Sequence, residues 1–242
     1  RSGGTQKAAV LQLTAAFLVC LLFLCAGFVL GRCTKFLDVV SKPAAGIVFE
    51  EPMIEQAARF QIGKTADEPL TRDELLLIDG LFIFGDSLIA ISEEELQSRA
   101  QELFESNRMR EGSIRSLADL TKMPNLKEVY ISMQKITDIS PLAALQKLEA
   151  LDIKNNPVMD ISPLSELKFL KRVSLFDTYV TDLSPLAKCP MLFDLNAGKL
   201  PIRSPEVFYG LIRLENLSLH ETTVETLTGL HNLTQLKFFE VS

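Results

Sequence analysis

The chain has 242 residues, 47% of them hydrophobic, with 31 acidic and 25 basic side chains and a net charge of −6. This composition excludes a largely disordered chain and allows one or two globular units. Residues 1–49 carry five Lys or Arg and one Asp, so the rest of the chain is strongly acidic, which argues against a nucleic-acid-binding surface.

Residues 8–31 form an uncharged run of 24 residues, interrupted only by Gln12 and Thr14. At ~1.5 Å per residue, a helix of this length crosses a hydrocarbon layer ~30 Å thick. A secretory signal and a buried core helix are the alternatives. A signal has a shorter apolar core, and the apolar character here runs all round the helix. We therefore predict a transmembrane helix at 8–31, between a juxtamembrane segment at 1–7 and a linker at 32–46.

The charges flanking this segment do not settle its orientation. Arg1 and Lys7 precede it, whereas Arg32, Lys35 and Lys42 follow it. The numbers of positive charges on the two sides are therefore nearly equal. By the positive-inside rule, the small excess after the segment slightly favours a cytoplasmic position for the remainder of the chain. Because the chain begins with Arg rather than Met, we expect that an upstream part of the natural protein is missing.

The pattern L-x-x-L-x-L recurs every 22 residues in the second half of the chain. It begins at Leu126, Leu148, Leu170, Leu192, Leu214 and Leu236. Each copy predicts a short strand with alternate side chains pointing inwards. Stacked copies would share one core and form a parallel sheet on a concave face. We therefore predict an α/β solenoid with 22-residue repeats at 114–242.

The segments between the strands contain recurrent turn signals. Ser-Pro-Leu occurs at 140–142, 162–164 and 184–186. In each copy we expect the serine hydroxyl to cap a helical turn and the proline to occupy its first position. An aspartate two residues before each serine, such as Asp138, is predicted to accept hydrogen bonds from turn amides and to have a structural role.

A divergent copy of the motif begins at Ile78, 48 residues before Leu126, which is one repeat plus 26 inserted residues. The whole insertion falls before Ile114. Within it, Ser92 and three following glutamates form a capping signature, after which apolar residues recur at helical spacing. We therefore predict that 47–113 forms a helical cap with this repeat and an amphipathic helix packed at one edge of the first coil.

The runs 136–142, 158–164 and 180–186 resemble the 22-residue leucine-rich repeats of bacterial internalins. Residues 48–84 similarly resemble the helical N-terminal cap of that family, so the resemblance covers about 195 residues. It implies a leucine-rich repeat fold with a rigid concave surface suited to recognition. The asparagine ladder usual in the family is reduced to Asn156, so we expect less regular hydrogen bonding between coils.

The membrane segment, cap, insertion and repeats together resemble the extracytoplasmic tails of some Firmicutes membrane proteins, including serine/threonine kinases. This resemblance implies a single-pass membrane protein with its repeats outside the cytoplasm. We predict a membrane-anchored module that binds a protein or peptide and is not itself an enzyme. The alternatives are the sensor part of a receptor-like kinase, with a catalytic domain upstream of Arg1, and a structural cell-surface spacer or adhesin.

The sequence offers little for other chemistry. It has four cysteines, Cys20, Cys25, Cys33 and Cys189. None has zinc-site spacing, and neither His220 nor His231 has a cysteine nearby. We therefore expect no catalytic residue, metal or cofactor in this segment.

The outward strand positions supply the candidate binding residues. Aromatic and arginine side chains contribute most to binding energy at protein interfaces. Together with neighbouring polar groups, they give the candidates Tyr130, Asp152, Lys154, Arg172, Phe176, Tyr179, His220 and Phe238. In particular, Arg172 and Phe176 on one strand predict a mixed apolar and charged patch.

Overall fold

The computed structural model describes residues 46–242 apart from 204, 223, 225–227, 229 and 242. The transmembrane helix predicted at 8–31 lies outside the described residues, as do the segments flanking it up to residue 45. Within the described part, no helix is both long and apolar enough to cross a membrane.

In the part of the chain that the structure describes, eight strands form one sheet in the order β2-β1-β3-β4-β5-β6-β7-β8, and only β2 runs antiparallel to its neighbour. Their bounds are β1 Gly80–Phe84, β2 Leu88–Ala90, β3 Glu128–Ser132, β4 Ala150–Asp152, β5 Arg172–Ser174, β6 Asp194–Asn196, β7 Asn216–Ser218 and β8 Phe238–Glu240. Val129 pairs with Leu151, and Leu151 with Val173, so each step along the sheet equals one repeat. Leu81 pairs with Val129, which confirms the 48-residue offset of the divergent repeat.

The inward side chains form a continuous hydrophobic core along the solenoid. Leu151 is 2% exposed, and Ile131 and Val158 are fully buried. A short 3-10 helix returns the chain across the back of most coils. These helices are Ala118–Lys122, Ser140–Ala144, Ser162–Glu166, Ser184–Lys188, Pro205–Phe208 and Leu230–Asn232.

The capping of these 3-10 helices differs from the prediction. Asp138 Oδ1 accepts a hydrogen bond from the Ser140 amide at 2.8 Å, and Asp138 Oδ2 accepts one from the Ser140 hydroxyl at 3.0 Å. Asp160 and Asp182 make the same pair of bonds one and two repeats later. The aspartate, which lies one residue before the N-cap position, therefore binds the first amide of the helix, and the serine is the first residue of the helix. The structural role predicted for the aspartates is confirmed.

A residue in the left-handed conformation turns the chain shortly after β1 and after each of the strands β3 to β7. The residues concerned are Gly85, Met133, Asn155, Asp177, Lys199 and Glu221, with φ between 53° and 60°. Glycine relieves this conformation at the first turn, whereas the later turns tolerate a side chain. The next residue occupies the ladder position. There, Asn156 bonds to Ile131 of the preceding coil, while Thr178 bonds within its own coil, so the ladder is irregular, as predicted.

The N-terminal end of the core is closed by two helices, α1 (Pro52–Ile62) and α2 (Arg72–Leu75). α1 ends at Gly63, whose φ of 68° permits the left-handed cap. Two reciprocal contacts tie α1 to the first coil. The buried Asp119 carboxylate accepts hydrogen bonds from the amides of residues 50 and 51, and Glu51 accepts from those of residues 115 and 116.

The insertion contains the predicted helix, here α3 (Glu93–Glu105), together with the short strand β2. Ser92 caps α3 by accepting a hydrogen bond from the Glu95 amide at 3.2 Å. As predicted, this helix packs against the first coil at the edge of the sheet, where it contacts β1 and the edge strand β2. α3 lies against the outward side chains of the sheet, because β2 extends the sheet and returns the chain over its concave face.

Candidate functional site

α3 and β2 cover the concave face over its first strands, and we call the outward positions of β1, β3 and β4 the covered half. A second apolar cluster lies there, separate from the solenoid core. Its buried members are Phe82, Phe84, Leu88, Ala90, Leu96, Tyr130 and Ala150. Leu96 supplies the buried contact from α3 and is only 2% exposed. This half therefore behaves as protein interior.

Tyr130, predicted to be an exposed contact, belongs to this interior. It is 5% exposed, and its ring centroid lies 5.3 Å from that of Phe82. Its hydroxyl donates a hydrogen bond to Glu93 Oε2 of α3 at 2.7 Å. Burial, followed by the Glu93 hydrogen bond, raises the pKa of Tyr130 well above its ordinary value. Tyr130 therefore holds the insertion in place and is not available on the free surface.

Arg172 lies at the boundary between the covered half and the rest of the face. Its Nη1 lies 2.8 Å from Glu93 Oε2, and its Nη2 lies 3.2 Å from Glu128 Oε1. The guanidinium of this β5 residue thus joins α3 to β3. Arg172, predicted to form a mixed apolar and charged patch with Phe176, is therefore already paired with two carboxylates of this chain.

Asp152 and Lys154 form an ion pair with each other. Asp152 is 6% exposed, and its Oδ1 accepts hydrogen bonds from the Ser132 hydroxyl at 3.2 Å and the Lys154 amide at 2.9 Å. The Lys154 ammonium lies 3.2 Å from Asp152 Oδ2. The pair contributes little net charge to a ligand, and Asp152 serves mainly to order the end of β4.

We call the outward positions of β5–β8, together with the residues that follow these strands, the open half. Here the half-buried ring of Phe176 lies over Gly198, where an added Cβ would come within 2.7 Å of the ring. The Lys199 ammonium lies 5.1 Å from the Phe176 ring centroid, within the range of a cation–π contact. The absence of a side chain at Gly198 therefore leaves space for the Phe176 ring in the open half.

The remaining candidates lie at the margins of the open half. His220 Nε2 lies 2.9 Å from Glu221 Oε1. Tyr179 is 58% exposed in the turn that follows β5, and Phe238 is 55% exposed on β8. The structure thus places Phe176, His220 and Phe238 around one face, with Tyr179 beside it.

The floor of the open half consists of side chains that were not among the candidates. Ser174, Asn196 and Ser218 occupy one column, at equivalent positions of β5, β6 and β7. Two carboxylates accompany them: Asp194 accepts a hydrogen bond from the Asn216 amide group, and Glu240 accepts one from the Ser218 hydroxyl. The alternation of side chains along each strand predicts that these positions face outwards. They were not chosen as candidates because the selection favoured aromatic and arginine residues.

A shallow depression of about 640 Å³ lies between α1 and the insertion and is an alternative candidate site. Its cationic lining groups pair with carboxylates: Arg59 with Glu55 at 2.7 Å, Lys64 with Glu74 at 2.8 Å and Arg99 with Glu95 at 3.0 Å. No charge is left over to hold an anionic cofactor. In the described part of the chain, no group of three His, Cys, Asp or Glu side chains is placed to bind a metal ion.

The stacked 22-residue coils, parallel concave sheet and helical cap define a leucine-rich repeat solenoid. Internalin C2 of Listeria monocytogenes has a similar structure, with a TM-score of 0.52 and 23% identity over 81% of this chain and 95% of that chain. This likeness shows the fold alone. The chain thus has the fold of an internalin-like leucine-rich repeat protein, and the family resemblance of the sequence is confirmed at this level.

Two further solved structures show weaker similarity. An internalin F structure from Listeria monocytogenes has a TM-score of 0.38 and 20% identity, over 81% of this chain and 76% of that chain. A leucine-rich repeat protein of Leptospira interrogans has a TM-score of 0.47 and 16% identity, over 57% of this chain and 38% of that chain. No protein-family model and no curated protein matches the sequence.

Proposed function

We propose that this protein is a non-catalytic binding module that captures a protein or peptide on the open half of its concave face. The observation that carries this proposal is the division of the face by α3. One half is packed as interior, while the other presents a polar floor bordered by Phe176 and Phe238. Exposed aromatic side chains are among those that contribute most to binding energy at protein interfaces, and the polar floor offers hydrogen bonds to a partner.

The size of the open half favours a segment of a partner over a large flat surface. Four strands ~4.8 Å apart span about 15 Å, and the outward positions along each strand extend about 13 Å. This area is well below the ~800 Å² that each partner buries in a standard protein interface. An exposed loop or an extended peptide fits these dimensions.

The proposal includes a membrane tether through residues 8–31 with the repeats outside the cytoplasm. Its support is the length of the uncharged run, 24 residues, which matches the thickness of a bilayer. A tethered module would present its open half to molecules at the cell surface.

Photo-crosslinking from two aromatic positions tests the binding function. Benzoylphenylalanine would replace Phe238 on the open half or, as a matched control, Phe169 in the turn before β5. These residues are 55% and 53% exposed, so the two probes differ in position and not in exposure. In the cells that produce the chain, we expect a discrete crosslinked adduct from position 238 and none from position 169. The same adduct from both positions, or none from position 238, would contradict the proposal.

A further inference from the structure

We infer that the partner segment is cationic and extended, with two Lys or Arg side chains that pair with Asp194 and Glu240. This inference rests on the proposed function and adds the chemistry of the ligand. It follows from the charges that remain unpaired on the open half and from the distance between them.

The outward positions of the repeat strands carry more carboxylates than cations. The carboxylates belong to Glu128, Asp152, Asp194 and Glu240, and the cations to Lys154 and Arg172. Both cations are already neutralised, because Lys154 pairs with Asp152, and Arg172 is shared between Glu128 and Glu93. The outward positions of the concave face therefore carry an excess of two carboxylates.

Asp194 and Glu240 are the source of this excess. Their carboxylates bond to the neutral side chains of Asn216 and Ser218, at 2.9 and 3.1 Å. Among the described residues, no Lys, Arg or His nitrogen forms an ion pair with either carboxylate. Cations at the rim do not compensate, because Lys199 pairs with Glu221 at 3.2 Å. A cationic ligand would supply the missing partners.

The spacing of the two carboxylates sets the pattern of the ligand. Asp194 and Glu240 lie two strands and two residues apart, which places their Cα atoms about 12 Å from each other. In an extended peptide, side chains at positions i and i+4 point the same way and lie about 13 Å apart. Asn216 and Ser218 of β7 flank the path between the two carboxylates, Asn196 of β6 lies beside it, and these side chains offer hydrogen bonds to a peptide backbone.

Selection of displayed peptides tests both the surface and its charge preference. The full chain, purified in a neutral detergent, would be panned against random dodecapeptides, and each selected peptide would be retested against Ser218→Trp. This change fills the floor and alters no charge, and a thermal melt would confirm that the variant is folded. Peptides that lose binding to Ser218→Trp are ligands of the open half.

The inference predicts that these open-half ligands are enriched in Lys or Arg at i and i+4. The double variant Asp194→Asn/Glu240→Gln keeps both hydrogen-bond acceptors and should weaken their binding about tenfold or more. The control Glu102→Gln/Glu206→Gln removes the same charge at exposed sites away from the face and should have little effect. Raising the salt concentration should also weaken binding.

Different results of this selection would contradict the charge inference alone or the binding function as well. Open-half ligands that are neutral or acidic, or that bind the Asp194→Asn/Glu240→Gln variant as well as the wild type, would overturn the charge inference and leave the binding function intact. If no selected peptide is sensitive to Ser218→Trp, the open half does not bind peptides, and both proposals fail.

Discussion

The two halves of the concave face share one sheet and one repeat period but have opposite physical characters. In the covered half, Phe82, Tyr130 and Ala150 are buried beneath Leu96 of α3. In the open half, equivalent positions carry Ser174, Asn196 and other polar side chains that remain accessible. The repeat therefore determines the scaffold, whereas the insertion determines which part of the concave face is exposed to solvent.

The largest expected effect concerns the core that both halves share. Leu151 is 2% exposed at an inward position of β4, so Leu151→Ala should lower the free energy of unfolding by ~2–5 kcal/mol. Lys154→Ala, on the outward side just beyond the same strand, loses an ion pair that is partly exposed to solvent and should cost less than ~1 kcal/mol. Denaturant melts compare the two variants. Equal losses would contradict the assignment of inward and outward positions.

A smaller effect concerns the contact that closes the covered half. Tyr130→Phe removes the hydrogen bond to the Glu93 carboxylate, and we expect a loss of about 1–2 kcal/mol in denaturant melts. The matched change at the exposed Tyr179, whose hydroxyl makes no bond to α3, should cost less than about 0.5 kcal/mol.

The same hydroxyl gives a pH dependence with a defined sign. Because the pKa of Tyr130 is raised in the folded state, its contribution is complete below its ordinary value of 10.0 and is lost as the pH rises above that value. The stability difference between wild type and Tyr130→Phe should therefore shrink at alkaline pH. A difference that stays constant or grows would show that Tyr130 is not protected by burial and by Glu93.

Most of the scaffold could be predicted from the sequence because its determinants are local and repeated. The 22-residue period places every repeat strand and separates inward from outward side chains, as the pairing of Val129, Leu151 and Val173 shows. The period does not resolve fine detail. The sequence pattern favoured Ser140 as the cap of the helical turn, whereas in the structure the Asp138 carboxylate accepts the hydrogen bond from the Ser140 amide.

The division of the concave face could not be predicted from the 22-residue period, because the insertion interrupts that period. A signal was nevertheless present in β1, where Phe82 and Phe84 alternate with Leu81 and Ile83. A strand that is apolar on both sides indicates that both faces of the sheet are covered. The partners of Arg172 carried no comparable signal, since Glu93 lies 79 residues away in the chain and meets it only through the fold of the insertion.

Cysteine accessibility tests the division of the concave face most directly. Ala150→Cys places a thiol at a position that is 1% exposed in the covered half, and Ser218→Cys places one on the open floor, with the native cysteines replaced by alanine. We predict that a maleimide reagent modifies Cys at 218 at least about tenfold faster than Cys at 150, because position 150 reacts only when α3 opens. Adding Leu96→Ala should accelerate the reaction at 150 and leave that at 218 unchanged. Equal rates at the two positions without Leu96→Ala would show that α3 does not cover the face.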